Sequence, residues 1–430
     1  MTAEIGILNK MGVALAADSA VTIGSDVNQK VYNSANKLFS LSKYHPVGVM
    51  IYGSAEFMGV PWEIIIKSYR KKLQKDRFDT IKEYVDDFLD FIVSDVRFYN
   101  DAAEQILVGR ICNNALNNIL GNEVTNEINR FINNGEVIEE AYVSEVLKDV
   151  LRQKISKIDT EKNAITQDGF LEKIQENYNS IVKEIIEEAV NFQIDEDLIN
   201  LMSTYTGLLI QKEIFSDSFT GLVISGYGEE EIFPSLYEFY IEGIIFQELK
   251  YIERPAIKIG SVNDENHITA AMRPFAQKEM VHSFMNGIEP SLRNAILQFF
   301  SAGISQHLDY IDDLIDESKV DDWEKVKEEH HDTLLMSISE SLNDFQEKYF
   351  TEPVMQILDV LPKEELAAMA EALVNLTSFK RKVTMDAETV GGPIDVAVIT
   401  KGDGFVWIRR KHYFSPEFNH QFFQNYAKEE

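Results

Sequence analysis

The chain has 430 residues, of which 45% are hydrophobic, and this is enough for a large core or for two domains. Its net charge of −30 opposes binding to nucleic acid or to an anionic membrane, since phosphate contacts need clustered Lys and Arg, and no apolar run reaches the length of a membrane span. The single cysteine, Cys112, excludes a disulfide within the chain, so we expect a cytoplasmic protein with Cys112 in its core.

The first predicted elements are two short apolar strands, Ile5–Leu8 and Gly12–Asp18, on either side of a Lys-Met-Gly turn. A buried hairpin that ends in Asp18 places a carboxylate beside the start of the chain. There Thr2 follows Met1, and the small side chain after Met1 suits co-translational removal of Met1. Thr2 would then carry both a nucleophilic hydroxyl and a free α-amine that can accept the hydroxyl proton.

The next segments are also strand-like. Lys37 precedes a Leu-Phe-Ser-Leu run, and Val47–Tyr52 is apolar on both faces, as expected for a strand covered on both sides. A Gly-Ser-Ala sequence, residues 53–55, follows this strand. The first part of the chain therefore predicts a sheet rather than a helical domain.

Two long segments, residues 79–216 and 290–352, carry mostly helical patterns. The stripe from Leu171 to Ala189 repeats apolar side chains at helical spacing without an internal Gly or Pro. Such stripes pack within the subunit, or they form a lid or a subunit contact. We expect a mixture, with at least one stripe at an interface.

Strand signals return at the centre and at the end of the chain. Leu222–Gly228 and Pro234–Phe239 match a known family's central hairpin by resemblance, and Pro362–Leu376 matches its last core helix, with a proline and acidic residues that suit a helix N-terminus. A Gly-Gly turn then leads into an apolar strand, Ile394–Ile399, and a turn at Gly402–Gly404. Apolar strands at both termini must pair at long range.

This order of motifs resembles proteasome β-subunits and their bacterial relatives, the threonine-type N-terminal nucleophile (Ntn) hydrolases. Their pattern is Thr, an apolar strand, a turn with Gly, a Val-x-Leu-Ala-Ala-Asp-Ser strand, a Lys, and then Gly-Ser/Thr-Ala. This chain presents Thr2, Val13–Ser19, Lys37 and Gly53–Ala55 in that order, and Gly391-Gly392 resembles the C-terminal turn of the family. The resemblance implies an α+β fold, a four-layer αββα sandwich in which two antiparallel sheets face each other, here with helical insertions.

The resemblance covers three stretches, residues 2–78, 217–289 and 360–412, which would form a discontinuous Ntn-hydrolase core. Residues 79–216 and 290–352 would be helical insertions, and residues 413–430 a C-terminal tail.

Carried over position by position, the resemblance assigns four catalytic roles. Thr2 would be the nucleophile, with its own α-amine as proton acceptor. Lys37 would lower the pKa values of that amine and hydroxyl, and Asp18 would pair with Lys37. The Gly53 amide would donate to the oxyanion of the tetrahedral intermediate. Taken singly, Asp18 could cap a turn and Lys37 could be a solvated charge; the combination favours a site.

Several positions depart from the family pattern. Asp386 lies near the place of a later acid but is too far from the Gly-Gly turn, and Ser261 is a candidate for a supporting serine in a poor context. Val390 stands where the family has a serine. Lys37 lies farther from Asp18 than in the family, so an insertion must be absorbed between residues 25 and 36.

Two classes of function remain open: a threonine hydrolase that cleaves amide bonds through an acyl-enzyme on Thr2, and an inactive ring-forming or scaffold subunit. The hydrolase would act on a peptide or small amide. The resemblance also implies a homo-oligomer, with an ATP-dependent unfoldase as a further partner. No cofactor or metal is expected, because the eight histidines lack zinc-ligand spacing and the Glu-Glu-His-His-Asp run at 328–332 fits a solvated helical face.

Overall fold

The computed structural model describes residues 2–23, 30–133, 140–260, 268–312, 322–384 and 390–428. The chain combines α-helices with antiparallel β-sheets, which agrees with the α+β class. It divides into two compact units: Met1–Leu38, Ile232–Pro234 and Ile257–Glu430 form the first, and Phe39–Glu231 with Ser235–Ala256 the second.

Fifteen strands lie within the described residues. In chain order they are β1 Ala3–Asn9, β2 Gly12–Ala17, β3 Val21–Ile23, β4 Lys30–Tyr32, β5 Leu38–Ser40, β6 Val47–Gly53, β7 Glu56–Phe57, β8 Val60–Pro61, β9 Thr220–Gly226, β10 Ser235–Ile245, β11 Glu248–Glu253, β12 Ile257–Lys258, β13 Ala270–Ala276, β14 Asp395–Thr400 and β15 Gly404–Arg409.

Thirteen α-helices lie within the same ranges. They are α1 Trp62–Leu73, α2 Ile81–Ser94, α3 Asp101–Asn118, α4 Thr125–Asn133, α5 Glu140–Ile158, α6 Phe170–Ala189, α7 Glu196–Gln211, α8 Glu279–Asn286, α9 Pro290–Asp312, α10 Trp323–Gln346, α11 Glu352–Val360, α12 Lys363–Val383 and α13 His420–Lys428. Short π-helical turns, Ile119–Val124 and Glu347–Thr351, follow α3 and α10.

The first unit is organised by an antiparallel sheet with the strand order β13-β1-β2-β14-β15. The predicted N-terminal hairpin is confirmed, since β1 and β2 pair from Glu4 opposite Ala17 to Asn9 opposite Gly12. The predicted long-range pairing is confirmed too, because β14 lies beside β2 with Asp395 opposite Ala17. Nearly every residue of these three strands is buried, as their apolar sequences require.

Helix α12 covers this sheet and fulfils the prediction of a late core helix. It packs against β1, β2 and β14 through the buried side chains Leu366, Ala370 and Leu373. Glu364 and Glu365 lie in its first turn and basic residues in its last, which complements the helix dipole. The core of the first unit therefore lies between β1–β2 and α12.

The second unit contains a sheet with the order β11-β10-β9-β6-β5 and most of the helices. Its sheet packs on α1 and α2 in a core that includes Trp62, Tyr69 and Phe88. Helices α3, α5, α6 and α7 form another apolar cluster, and Cys112 is fully buried in it, as predicted. The stripe from Leu171 to Ala189 forms α6 and packs against α3 and α7, so its apolar face is covered within its own unit.

The helices α9 to α11 of the first unit differ from α6 in their exposure. Several large apolar side chains on them are exposed, and Phe299 retains 74% of its accessible surface. The others with more than half of their surface exposed are Leu292, Tyr310, Met336, Phe345, Ile357 and Val360, and Tyr349 in the π-helical turn between α10 and α11 is also more than half exposed. No helix in the described part of the chain has the length and apolar character needed to cross a membrane.

Candidate active site

The pairing of β1 with β2 brings the start of the chain to the end of the hairpin. Asp18 follows the last residue of β2, and its backbone N–H donates to the carbonyl oxygen of Ala3 at 3.1 Å. The Ala3 N–H donates to Asp18 Oδ1 at 3.2 Å. The carbonyl oxygen of Thr2 accepts from the Gln277 N–H at 3.1 Å. Backbone bonds on both sides therefore fix Thr2 next to the Asp18 carboxylate.

Thr2, Asp18 and Lys37 meet in one buried cluster. The hydroxyl of Thr2 donates to Asp18 Oδ1 at 2.5 Å, and Lys37 Nζ lies 2.5 Å from the same oxygen. Lys37 Nζ also donates to Thr2 Oγ1. The exposed fractions are 4% for Thr2, 1% for Asp18 and 7% for Lys37. A cation held against a hydroxyl away from water stabilises the negative charge that develops when the hydroxyl loses its proton.

The chain between Asp18 and Lys37 accommodates the longer spacing noted in the sequence. Strands β3 and β4 pair from Val21 opposite Tyr32 to Ile23 opposite Lys30, and the Ala35 N–H donates to the Ser19 carbonyl oxygen at 3.0 Å. This ladder returns the chain to the end of β2 before Lys37. Of the expected insertion, residues 25–29 lie outside the described residues, and residues 30–32 form β4.

The C-terminal Gly-Gly turn orients the Asp18 carboxylate. Gly391 donates its N–H to Asp18 Oδ2 at 2.9 Å, and its carbonyl oxygen accepts from the Ser19 N–H at 3.1 Å. Gly392 has a φ of +78°, and a Cβ there would lie 2.7 Å from Asn33 Cβ, so only glycine fits. The Gly391 and Ala3 amides therefore bond to different oxygens of the Asp18 carboxylate, and together they fix its orientation.

Glu4 also belongs to this cluster, although the sequence prediction omitted it. Its Oε1 lies 3.3 Å from Thr2 Oγ1, and only 2% of the residue is exposed. Burial raises the pKa of Glu4 well above its ordinary value of 4.5; the positive charge of Lys37 opposes the shift and the negative charge of Asp18 adds to it. An acidic residue within an otherwise apolar strand, two positions from Thr2, was the signal that could have found it.

The other predicted site residues are not part of the described cluster. Gly53 ends β6 in the second compact unit with a φ of +78°, and a Cβ there would lie 2.5 Å from the Phe219 carbonyl oxygen. Its role as oxyanion donor stays a prediction. Asp386 and Ser261 lie outside the described residues. Val390 is buried in the apolar core of the first unit and offers no hydroxyl there.

Among the residues with described positions, no group of three or more His, Cys, Asp or Glu side chains could hold a metal ion. No protein-family model matches the chain, and no curated protein sequence matches it. The functional assignment therefore depends on the sequence motifs and on the geometry around Thr2.

Proposed function

We propose that this chain is a threonine-type Ntn hydrolase that cleaves amide bonds, chiefly those of peptides, through an acyl-enzyme on Thr2 after removal of Met1. The observation that carries this proposal is the buried contact of the Thr2 hydroxyl with Lys37 and Asp18. The antiparallel sheets and the covering helix α12 are compatible with the four-layer sandwich that we propose as the complete fold.

In the proposed acylation, the freed α-amine of Thr2 accepts the hydroxyl proton while Oγ1 attacks the carbonyl carbon of the substrate. The Lys37 ammonium lies against Oγ1 and stabilises the charge that develops on it. Asp18 keeps Lys37 in place by accepting from Nζ, and backbone amides hold Asp18. The Gly53 N–H is our candidate donor to the oxyanion, with backbone geometry that favours glycine.

In acylation, an acidic group of the site gives a proton to the leaving nitrogen of the substrate. In the proposed deacylation, water attacks the ester carbonyl carbon and returns a proton to that acidic group, and Thr2 Oγ1 leaves. The oxygen recovers its proton from the α-ammonium group, which restores the starting state of the nucleophile. The products are a carboxylic acid and the free enzyme.

The proposal includes assembly into a cytoplasmic homo-oligomer that hides the nucleophile in a chamber, with an ATP-dependent unfoldase as a further partner. The exposed apolar side chains of α9 to α11 form a surface in the described residues that supports self-association. We expect short flexible peptides to be cleaved, and folded proteins to resist cleavage without an unfolding partner.

One observation favours the alternative of an inactive ring or scaffold subunit. Val390, where the family has a serine, is 1% exposed and packs in the apolar core, so no hydroxyl supports the site from that position. An inactive subunit would keep the sheets and the Asp18–Lys37 pair but would not turn over substrate.

The test combines intact-mass measurement with hydrolysis of a fluorogenic peptide library. We expect a mass without Met1, activity in the wild type and in Thr2→Ser, and none in Thr2→Ala. A retained Met1 would block the α-amine and contradict the hydrolase proposal. Cleavage by Thr2→Ala at the parent rate would contradict it as well.

A further inference from the structure

Glu4 is an acidic residue near the start of the buried strand β1. Thr2 stands directly before β1, and in extended backbone the side chains two positions apart, here Thr2 and Glu4, point the same way. The contact between Thr2 Oγ1 and Glu4 Oε1, at 3.3 Å, brings the carboxyl group to the reacting oxygen. Because both carboxyl oxygens are bonded to one carbon, Oε2 also lies within a few ångströms of Thr2 Oγ1.

Glu4 Oε2 is buried, and no described residue forms a hydrogen bond with it. Burying a polar group without a partner is unfavourable by about 1–3 kcal/mol, so a side chain retained for packing alone would be apolar here. By contrast, the oxygens of the neighbouring Asp18 accept from the Ala3, Ala20 and Gly391 amides. The unpartnered oxygen beside the nucleophile is therefore available for a contact with a bound reactant.

Burial of Glu4 favours its neutral form. Burial is the main reason that the pKa of Glu4 lies well above 4.5, Asp18 at the end of β2 raises it further, and Lys37 before β5 lowers it. The hydrogen bond from Thr2 also lowers it. A protonated carboxyl group is a proton donor, whereas an ionised one is only an acceptor.

We propose that Glu4 is a second acid–base residue of this site, whose Oε2 donates a proton to the leaving nitrogen in acylation and accepts one from water in deacylation. The inference rests on the proposed hydrolase function and assigns a separate group to the leaving amine. Substrates whose leaving group needs a proton are therefore the class that depends on Glu4.

The acylation step balances with this assignment. Thr2 Oγ1 forms a bond to the carbonyl carbon and gives its proton to the Thr2 α-amine. The carbon–nitrogen bond of the substrate breaks, and the nitrogen takes the electron pair and the proton from Glu4. The products are the ester on Thr2, an α-ammonium group, a Glu4 carboxylate and a free amine.

The deacylation step restores both groups. Water forms a bond to the ester carbonyl carbon and gives its proton to the Glu4 carboxylate. The bond from that carbon to Thr2 Oγ1 breaks, and Oγ1 takes the proton of the α-ammonium group. The sum of the two steps is hydrolysis of an amide to an acid and an amine.

The test uses two substrates that share the acyl peptide best cleaved in the library, one an aminocoumarin amide and the other a 4-nitrophenyl ester. Nitrophenolate leaves without a proton, whereas the amine needs one. Glu4→Gln keeps the size of the side chain and its contact with Thr2 but cannot transfer a proton. Glu4→Asp retains the acid on a shorter side chain.

We expect Glu4→Gln to lower kcat/KM for the amide by about 10²- to 10⁴-fold and to keep the pre-steady-state burst of the ester within about threefold of the wild type. Slow turnover should follow the burst, because deacylation also uses Glu4. In the wild type, kcat/KM for the amide should fall as pH rises through the pKa of Glu4, and Glu4→Gln should lack this decline. Glu4→Asp should recover part of the amide activity.

Three other outcomes are decisive. Unchanged amide kinetics in Glu4→Gln would overturn the inference and leave the hydrolase proposal intact. An equal loss of the ester burst and the amide rate would show that Glu4 only positions Thr2, and this also overturns it. Identical traces from the wild type and Thr2→Ala on both substrates would instead overturn the hydrolase proposal.

Discussion

Lys37 with Asp18 in the first compact unit, and Lys250 with Glu242 in the second, are two buried ion pairs of the same kind. The distances from nitrogen to carboxylate oxygen are 2.5 Å and 2.6 Å, and no side chain in either pair is more than 9% exposed. Burial of a lysine beside a carboxylate therefore does not by itself distinguish a catalytic group from a structural one.

The surroundings of the Lys250 pair satisfy all of its hydrogen-bonding groups. Lys250 Nζ has three protons, and it donates to the carbonyl oxygens of Leu209, at 2.8 Å, and Ile214 and to Glu242 Oε2. The other oxygen of Glu242 accepts from the Ser216 N–H at 2.9 Å. The pair joins the loop after α7 to β10 and β11 and leaves no group free to react.

The surroundings of the Lys37 pair are different. Lys37 Nζ donates a hydrogen bond to the Thr2 hydroxyl, and the adjacent Glu4 has a buried oxygen without a described partner. A reactive hydroxyl and an unsatisfied acid are what separate a candidate active site from a structural ion pair. Four predictions test this comparison.

The largest effect is expected from removing the reactive hydroxyl. Thr2→Ala should lower kcat/KM by at least about 10⁴-fold, because no other group replaces the nucleophile. The matched change Ser216→Ala removes a hydroxyl that donates to Glu242 and should leave kcat/KM unchanged while lowering stability by about 1 kcal/mol. Peptide hydrolysis and urea unfolding measure the two quantities. If Thr2→Ala and Ser216→Ala had equal activity, the Lys37 pair could not be called catalytic and the Lys250 pair structural.

Substituting the two lysines should change different properties: Lys37→Ala the catalytic rate, and Lys250→Ala the stability of the fold. Lys37→Ala should lower kcat by about 10²- to 10³-fold with little change in KM, because the lost charge acts on the nucleophile. Lys250→Ala leaves Glu242 buried without its cation and should lower the free energy of unfolding by about 3–5 kcal/mol, with a normal rate per folded molecule.

Steady-state kinetics and denaturant unfolding of both lysine variants make this comparison. An unchanged kcat with a raised KM in Lys37→Ala would place Lys37 in a substrate subsite. A lowered rate per folded molecule in Lys250→Ala would give the second pair a role beyond structure.

Helices α6 and α9 allow a similar comparison, between a helix whose apolar side chain is buried and one whose apolar side chain is exposed. Ile174→Ala on α6 removes a fully buried side chain and should lower the free energy of unfolding by about 2–5 kcal/mol. Phe299→Ala on α9 changes a side chain that is 74% exposed, so monomer stability should stay within about 0.5 kcal/mol. If α9 contributes to a subunit contact, Phe299→Ala should lower the mass measured by light scattering. A monomer of 49.2 kDa in the wild type at all concentrations would contradict the proposed assembly.

The smallest effect is a difference in the pH dependence of stability. The folded state raises the pKa of Glu4, so the stability that its protonated form contributes is present below pH 4.5 and is lost as pH rises through the raised value. The wild type should therefore lose stability relative to Glu4→Gln, by at most about 1.4 kcal/mol per pH unit. Urea unfolding over a pH series measures this, with the exposed Glu340→Gln as control. Parallel curves for the wild type and Glu4→Gln would contradict the raised pKa.

Much of the first unit could be predicted because its elements carry local signals. The apolar runs around the Lys-Met-Gly turn became β1 and β2, and the proline and acids at 362–365 marked the start of α12. The meeting of Thr2, Asp18 and Lys37 could be predicted only through the family resemblance. Their spacing alone does not fix it, since the paired strands β3 and β4 lie between Asp18 and Lys37.

The remaining features depend on tertiary packing. Periodicity showed that the stripe from Leu171 to Ala189 needed a partner, but not that α3 and α7 of the same unit would provide it. Glu4 was not predicted because it stands just before the apolar run Ile5–Leu8, and its contact with Thr2 depends on how the first strand packs. The roles of Gly53, Asp386 and Ser261 stay predictions.

The most direct test of the central claim is covalent labelling with a peptide epoxyketone, which needs both a hydroxyl and a free α-amine on one residue. We predict one label per chain, mapped to the peptide that begins with Thr2, abolished in Thr2→Ala and retained in Ser216→Ala. A label on another residue, or no label on a chain whose intact mass shows Thr2 at its N-terminus, would contradict Thr2 as the nucleophile.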